Sequence, residues 1–234
     1  MRKFLSCVVL SGSLFNPIFA ETTTRHRTRP DHLSITPERI RDGKIFIEGD
    51  PIKTISFEGD FSALSTLSIE DTPLEGLTIP ETFQNLKKLV VIGTKITELT
   101  IPHLTALTSL HISLNSRLIN LTISARGLKK IKIDQNVGLG SLQVPGTCTD
   151  LESLSVVGNL RMTSFSMGDP ETLWAHLLSL KLGELPKLTS LFLPLSIIRK
   201  SPELSRLPDA TTKDPRKLAR KALEWTDRHP DLMP

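Results

Sequence analysis

The sequence predicts a repeat solenoid of about seven coils, built mostly of parallel β-strands that form two stacked sheets. Two observations predict it: an apolar–variable–apolar triplet recurs every 21 to 26 residues, and a second series of such triplets interleaves with the first. Repeats of this length are typical of solenoids, in which each repeat forms one coil. The first series begins at Ile45, Leu67, Leu89, Leu110, Ile131, Leu154 and Leu180, and the second at Ile55, Leu77, Leu99, Leu121, Leu142, Phe165 and Leu191.

Each triplet has the period of a half-buried strand. Side chains of a strand alternate between its two faces, so the first and third residues of a triplet point inward and the middle one points outward. A further apolar residue lies three positions before nearly every triplet, as Leu64 does before Leu67. Because one coil cannot bury this apolar set alone, stacked coils about 4.8 Å apart must form continuous Leu and Ile columns.

The resulting Leu-x-x-Leu-x-Ile pattern resembles the leucine-rich repeat family over residues 42–194. In that family an asparagine follows the strand, and the resemblance implies that it closes the turn by bonding backbone groups of neighbouring coils. That place is occupied by Asn115, Asn136 and Asn159, by the shorter polar residues Asp50, Thr72 and Thr94, and by Leu185 in the last coil. Proline often ends the second half of a coil, as at Pro80, Pro102, Pro145 and Pro194, which is similar to the irregular bacterial surface repeats of the treponemal type.

The first twenty residues have the pattern of a secretory signal peptide. Arg2 and Lys3 precede a mostly apolar run over residues 4–19, and Ala20 precedes a polar segment. The run is too short and too interrupted for a stable membrane span. A lipid-anchoring alternative at Cys7 leaves almost no apolar segment before it. We therefore predict a signal peptide over 1–20 and an exported protein, either secreted, periplasmic or at the cell surface.

The two ends of the solenoid carry different predictions. Residues 21–41 are predicted to be a flexible lead-in. Residues 195–234 are predicted to be a C-terminal helical cap or docking tail, because Asp214 and Pro215 form a helix start and Leu218, Ala222 and Trp225 recur at helical spacing. A membrane-surface helix is the alternative for this segment. A brief helix is also predicted after Asp169-Pro170, around Leu173 and Trp174.

Charge is unevenly distributed along the chain. The net charge is +4, yet residues 42–194 hold thirteen basic and sixteen acidic residues, so the positive charge lies in the flanking segments. A nucleic-acid-binding body would need a positive face of its own, so no nucleic-acid partner is predicted.

No pattern in the sequence indicates catalysis, a cofactor or a metal site. The six histidines form no local ligand pair, no glycine-rich phosphate loop follows a strand, and no serine is ordered beside a base. If Cys7 leaves with the signal peptide, Cys148 is the only remaining cysteine, which excludes an internal disulfide and a cysteine-based zinc site. Cys148 is predicted to be a buried small hydrophobe.

The outward residues of the first series predict a partner-binding face, because the corresponding surface is the usual ligand surface of leucine-rich repeats. Its middle contains the candidate residues Lys88, Val90, His111, Lys130 and Lys132. These cations would lie close enough to act together on an acidic partner. The alternative is a solvated face that keeps the protein soluble.

We therefore predict a non-enzymatic scaffold for protein–protein binding or for binding an acidic surface polymer. The alternatives are a secreted effector or host-interacting factor with a functional C-terminal helix, and a structural adhesin. The sequence leaves the oligomeric state open.

Overall fold

Parallel strands dominate the part of the chain that the structure, a computed structural model, describes: residues 31–169, 171–194, 196 and 197. The predicted signal peptide and nearly all of the predicted C-terminal cap lie outside these residues. A single 3-10 turn spans Pro37–Arg39. The strands are β1 (His32–Ile35), β2 (Lys44–Glu48), β3 (Thr54–Phe57), β4 (Thr66–Glu70), β5 (Lys88–Ile92), β6 (Glu98–Ile101), β7 (Ser109–Ser113), β8 (Asn120–Ile123), β9 (Lys130–Asp134), β10 (Ser141–Val144), β11 (Ser153–Val157), β12 (Ser164–Met167), β13 (Ser179–Gly183) and β14 (Ser190–Phe192).

One side of every coil contributes a strand to a single seven-stranded parallel sheet, here called the long sheet. Its order is β2, β4, β5, β7, β9, β11 and β13. The inward stripe of the first series pairs residue for residue along it, from Leu67 through Leu89, Leu110 and Ile131 to Leu154. Each of these side chains is at most 2% exposed. The parallel-strand solenoid of about seven coils is thus confirmed.

The other side of the coils is not one continuous sheet, so the prediction of two stacked sheets is corrected. It consists of three short parallel sheets: β1 with β3, β6 with β8, and β10 with β12 and β14. Leu77 and Ile79 are buried, but their triplet belongs to no strand. Gly76 before it offers no side chain to pack and Pro80 after it offers no N–H group to a ladder, which shortens any pairing there.

The solenoid also begins earlier than predicted. Residues 21–41 were predicted to be a flexible lead-in, but β1 pairs in register with β3, from His32 beside Thr54 to Ile35 beside Phe57. Ile35 is fully buried in the common core. β1 therefore covers the backbone edge of β3 at this end of the solenoid.

A ladder of buried asparagines joins the coils just beyond the carboxyl ends of the strands of the long sheet. The side-chain Nδ2 groups of Asn115, Asn136 and Asn159 donate to backbone carbonyls of the preceding coil, at 3.0 Å, 2.9 Å and 2.7 Å. Each Oδ1 accepts the backbone N–H at the matching position of that coil: Asn115 from Thr94, Asn136 from Asn115 and Asn159 from Asn136. This is the bonding that the resemblance to leucine-rich repeats implied.

The residue just before each ladder position has a left-handed backbone conformation. This conformation lets its N–H group donate to the next coil, as Gln135 does to Val157 O at 2.7 Å. A side chain at Gly93 would overlap an Asp71 carboxylate oxygen, so that carboxylate would have to move if another residue replaced the glycine. The seven residues are Gly49, Asp71, Gly93, Leu114, Gln135, Gly158 and Glu184.

The prediction of a brief helix around Leu173 and Trp174 is wrong. Residues 171–178 form turns and irregular structure, with isolated hydrogen bonds such as Thr172 N–H to Asp169 O at 3.0 Å. Trp174 is fully buried whereas Leu173 is 73% exposed. The widened coil therefore uses its extra residues to place one large side chain in the core, and not to extend a helical turn.

Candidate binding face

The outer face of the long sheet consists of three rows of side chains that run along the solenoid axis. Parallel pairing in register places one residue of each strand in each row. Rows lie two residues apart along a strand, and neighbouring members of a row lie about 4.8 Å apart. Over the five strands β2, β4, β5, β7 and β9, the first row is Lys44, Thr66, Lys88, Ser109 and Lys130; the middle row is Phe46, Ser68, Val90, His111 and Lys132; the third row is Glu48, Glu70, Ile92, Ser113 and Asp134. Strands β11 and β13 continue the three rows with Ser153 and Ser179, with Ser155 and Lys181, and with Val157 and Gly183.

From β2 to β9 the first row is basic on every second strand, and β11 and β13 continue it with Ser153 and Ser179. Lys44, Lys88 and Lys130 are exposed, and none of them forms an ion pair with another described residue. Thr66 and Ser109, which are short and polar, lie between them. The row therefore presents three unneutralised ammonium groups at intervals of about 9.6 Å.

The middle row lines a shallow depression. Ser68 and Val90 are only 3% and 5% exposed, whereas Phe46 beside them is 66% exposed. The depression has a volume of about 430 Å³, and His111 lines its other end. Val90 is one of the predicted contact residues. It does lie on the outer face, but its neighbours bury most of its side chain, so it contributes only to the floor of the depression.

His111 is half-buried and electrically neutral at pH 7. Burial, and then the positive charges of Lys132 and Lys88, hold its pKa below the ordinary value of 6.5, although Asp134 and Glu70 oppose this. Its Nε2 atom has no hydrogen-bond partner among the described residues. His111 thus adds an aromatic surface to the face and not the positive charge that the sequence suggested.

Lys132 contributes less free charge than Lys88 or Lys130. Its Nζ atom lies 3.9 Å from Asp134 Oδ2, and the Lys132 side chain is 54% exposed. Asp134 is fixed by Ser155 Oγ at 2.9 Å and by the Val157 N–H at 3.1 Å. The pair is long and its lysine is well exposed to solvent, so Asp134 neutralises the ammonium charge only in part.

The third row is acidic at Glu48, Glu70 and Asp134. The Ser68 hydroxyl donates to the Glu70 carboxylate, which orients that side chain along the strand. The face therefore carries opposite charges on its two long edges, four residues or about 13 Å apart. A second depression of about 260 Å³ continues the first beyond their shared residues Ile92 and His111.

All five predicted residues lie on this face, on the adjacent strands β5, β7 and β9. Sequence reasoning missed Lys44 and the whole acidic row. The signal for Lys44 was present, since it precedes its triplet by one residue, as Lys88 and Lys130 do. The signal for the acidic row is that Glu48, Glu70 and Asp134 each directly follow their triplet.

Other side chains offer little for chemistry. Burial raises the pKa of the Cys148 thiol to about 11, and its sulfur lies 3.2 Å from Ala125 O. Cys148 is fully buried, as predicted. Among residues 31–169, 171–194, 196 and 197, no group of three or more His, Cys, Asp or Glu side chains is placed to hold a metal ion.

Within the same described residues, no helix has the length and apolar character needed to cross a membrane.

Comparison with known proteins adds no relative. No family model, no curated protein and no solved structure matches the chain.

Proposed function

We propose that this chain is an exported leucine-rich-repeat protein that acts as a non-enzymatic scaffold and binds an acidic protein or surface polymer on the outer face of the long sheet. The asparagine ladder supports the leucine-rich-repeat assignment, because its bonds connect neighbouring coils as that family's turns do. The pattern of residues 1–20 supports export.

The basic row carries the proposal for binding. Lys44, Lys88 and Lys130 lie in register on one rigid sheet, and no described carboxylate neutralises them. A fixed line of like charges attracts an acidic partner from a distance and limits the conformational freedom lost on contact. Binding of this type depends on several moderate contacts spread over a face rather than on one deep pocket.

The test compares two charge-reversal variants of the full chain as baits for envelope or host extract. Lys130→Glu with Lys132→Glu should weaken capture of the native partner, because both changes place negative charge on the face. Lys95→Glu with Arg117→Glu makes the same change in net charge at exposed positions outside the long sheet and should leave capture unchanged. Equal capture by both variants would remove the face from the proposal.

A further inference from the structure

The three rows of the outer face differ in chemistry, which restricts what can lie on them. One long edge is basic, the centre is a depression with Phe46 and Val90, and the other edge carries Glu70 and Asp134. A polymer of uniform negative charge would gain at the first edge but would be repelled at the third. It would also leave the aromatic centre without a partner. The arrangement favours a ligand with acidic groups along one side and uncharged groups along the other.

The spacing of the basic row restricts the ligand further. Its three lysines occur on alternate strands, so successive ammonium groups recur about every 9.6 Å along the solenoid axis. A polypeptide in the polyproline II conformation makes one turn in three residues and rises about 9.3 Å per turn. Side chains at every third residue of such a peptide therefore match the lysine row over its whole length.

The depression gives such a peptide a second line of contacts. Phe46 is 66% exposed, and its neighbours Val90 and Ser68 form a floor that is only 5% and 3% exposed. The two depressions share Ile92 and His111, so the groove runs parallel to the lysine row across several coils. Extended, proline-rich segments are commonly bound in aromatic-lined grooves, since they lose little conformational entropy on binding.

We propose that the outer face of the long sheet binds an extended acidic segment of a partner protein, in the polyproline II conformation and parallel to the solenoid axis. An acidic residue at every third position contacts Lys44, Lys88 and Lys130 in turn, and the residues between fill the groove beside Phe46. This inference rests on the proposed function and narrows its partner to one class of polypeptide.

The experiment measures binding of two fluorescent peptides of equal composition to the full chain by anisotropy. The first peptide has four Glu-Pro-Pro triplets; the second has its four glutamates in one block before the prolines. The triplet peptide should bind about tenfold more tightly, a ratio that separates a register match from simple attraction. Its affinity should fall as salt is raised from 50 to about 500 mM, since exposed charges are screened.

Matched variants test the contacts. Replacing Lys44, Lys88 and Lys130 by glutamate should abolish measurable binding of the triplet peptide. Replacing the exposed residues Lys95, Arg117 and Arg161 by glutamate makes the same change in charge elsewhere and should leave binding within about twofold. Far-UV circular dichroism of each variant shows whether the solenoid is intact, and Phe46→Ala gives an independent test because it keeps every charge.

Any of three results overturns the inference. The first is that the two peptides bind with equal affinity, and the second is that the triplet peptide does not bind at all. The third result is that the triplet peptide keeps its wild-type affinity both for Phe46→Ala and, separately, for the variant with all three lysines replaced. An acidic polysaccharide such as polygalacturonate that binds at the lysine row when neither peptide does would assign the face to a polymer. In each case the proposed function is decided separately, by capture with the Lys130→Glu, Lys132→Glu bait.

Discussion

At the scale of single residues, the left-handed position before each asparagine is the least expected feature. Glycine occupies it in some coils, but Asp71, Leu114, Gln135 and Glu184 occupy it in others. A residue with a side chain costs about 1–2 kcal/mol in this conformation. The fold accepts this cost because the turned N–H group bonds to the next coil, as Leu114 does to Asp134 O at 3.2 Å.

Gln135→Gly should therefore stabilise the protein, by about 0.5–1 kcal/mol after the entropy of glycine in the unfolded chain is subtracted. Gln135 is exposed and has a φ of 57°. Gln143→Gly is the matched control, because Gln143 is also exposed but lies within strand β10. That change should destabilise by about 0.5–1 kcal/mol. Urea unfolding measures both, and the same sign for the two would show that backbone strain at Gln135 is negligible.

His111 predicts how stability depends on pH. Because its pKa is lowered in the folded protein by burial and by Lys132 and Lys88, against the opposing charges of Asp134 and Glu70, the unfolded chain binds the proton more readily. The resulting loss of folding stability is absent well above pH 6.5 and grows as the pH falls below that value. Wild type should therefore lose stability relative to His111→Gln between pH 7.5 and 5.

Thermal midpoints of wild type and His111→Gln across this range provide the measurement. The remaining histidines are present in both proteins, so their contributions cancel in the difference. A difference between the two midpoints that is independent of pH would mean that the His111 ring is as accessible to protons in the folded state as in the unfolded one.

At the scale of elements, the asparagine ladder is the connection that should matter most. The Nδ2 group of Asn136 donates to Ile112 O at 2.9 Å, and its Oδ1 atom accepts the Asn115 N–H at 3.1 Å. Asn136→Ala should destabilise by about 1–3 kcal/mol for each buried group left unpaired.

Asn120→Ala is the control for this change. The Asn120 side chain is exposed and donates only to Glu98 Oε1, at 3.2 Å. Its loss should change stability by no more than about 0.5 kcal/mol. Guanidinium unfolding of both variants compares the two positions, and similar losses would mean that the ladder does not hold the coils together more strongly than an exposed contact does.

The long sheet and its ladder were predictable because both depend on residue type. Period-two alternation identified the strands, and Asn115, Asn136 and Asn159 recurred where the repeat needs a side chain that both donates and accepts. The opposite side was harder, since the triplet at Leu77 has a strand's apolar residues but not its pairing. The left-handed backbone conformation before each ladder position was not predictable, because Leu114 and Gln135 are not residue types that favour positive φ.

The candidate face was predictable in position but not in character. Alternation correctly placed Lys88, His111 and Lys130 outward. It could not predict that Val90 would be 5% exposed or that His111 would be neutral, because both depend on how neighbouring strands crowd a site. The alternation of residue types along a strand shows which face a side chain points to. How deeply that side chain is buried on the outer face depends on side chains that are distant in sequence.

At the scale of the whole molecule, one apolar core runs through all coils. The buried cluster extends from Ile35 in β1 to Ile197 after β14. In a solenoid each coil contacts only its neighbours, so stability is the sum of coil and interface contributions, and separate ends can in principle unfold separately. The continuity of the core predicts instead that this chain unfolds as one cooperative unit.

Leu67→Ala tests this, because Leu67 is fully buried near the N-terminal end and Trp174 is fully buried near the other. The change should cost about 2–5 kcal/mol. In a Trp225→Phe background, fluorescence of Trp174 reports on the C-terminal coils while circular dichroism reports on all strands. If the solenoid is one unit, Leu67→Ala lowers the urea midpoint equally by both probes. A fluorescence midpoint that stays at the wild-type value would show that the distant coils keep their structure without the N-terminal ones, so that neighbouring interfaces, and not the whole core, set the limit of cooperativity.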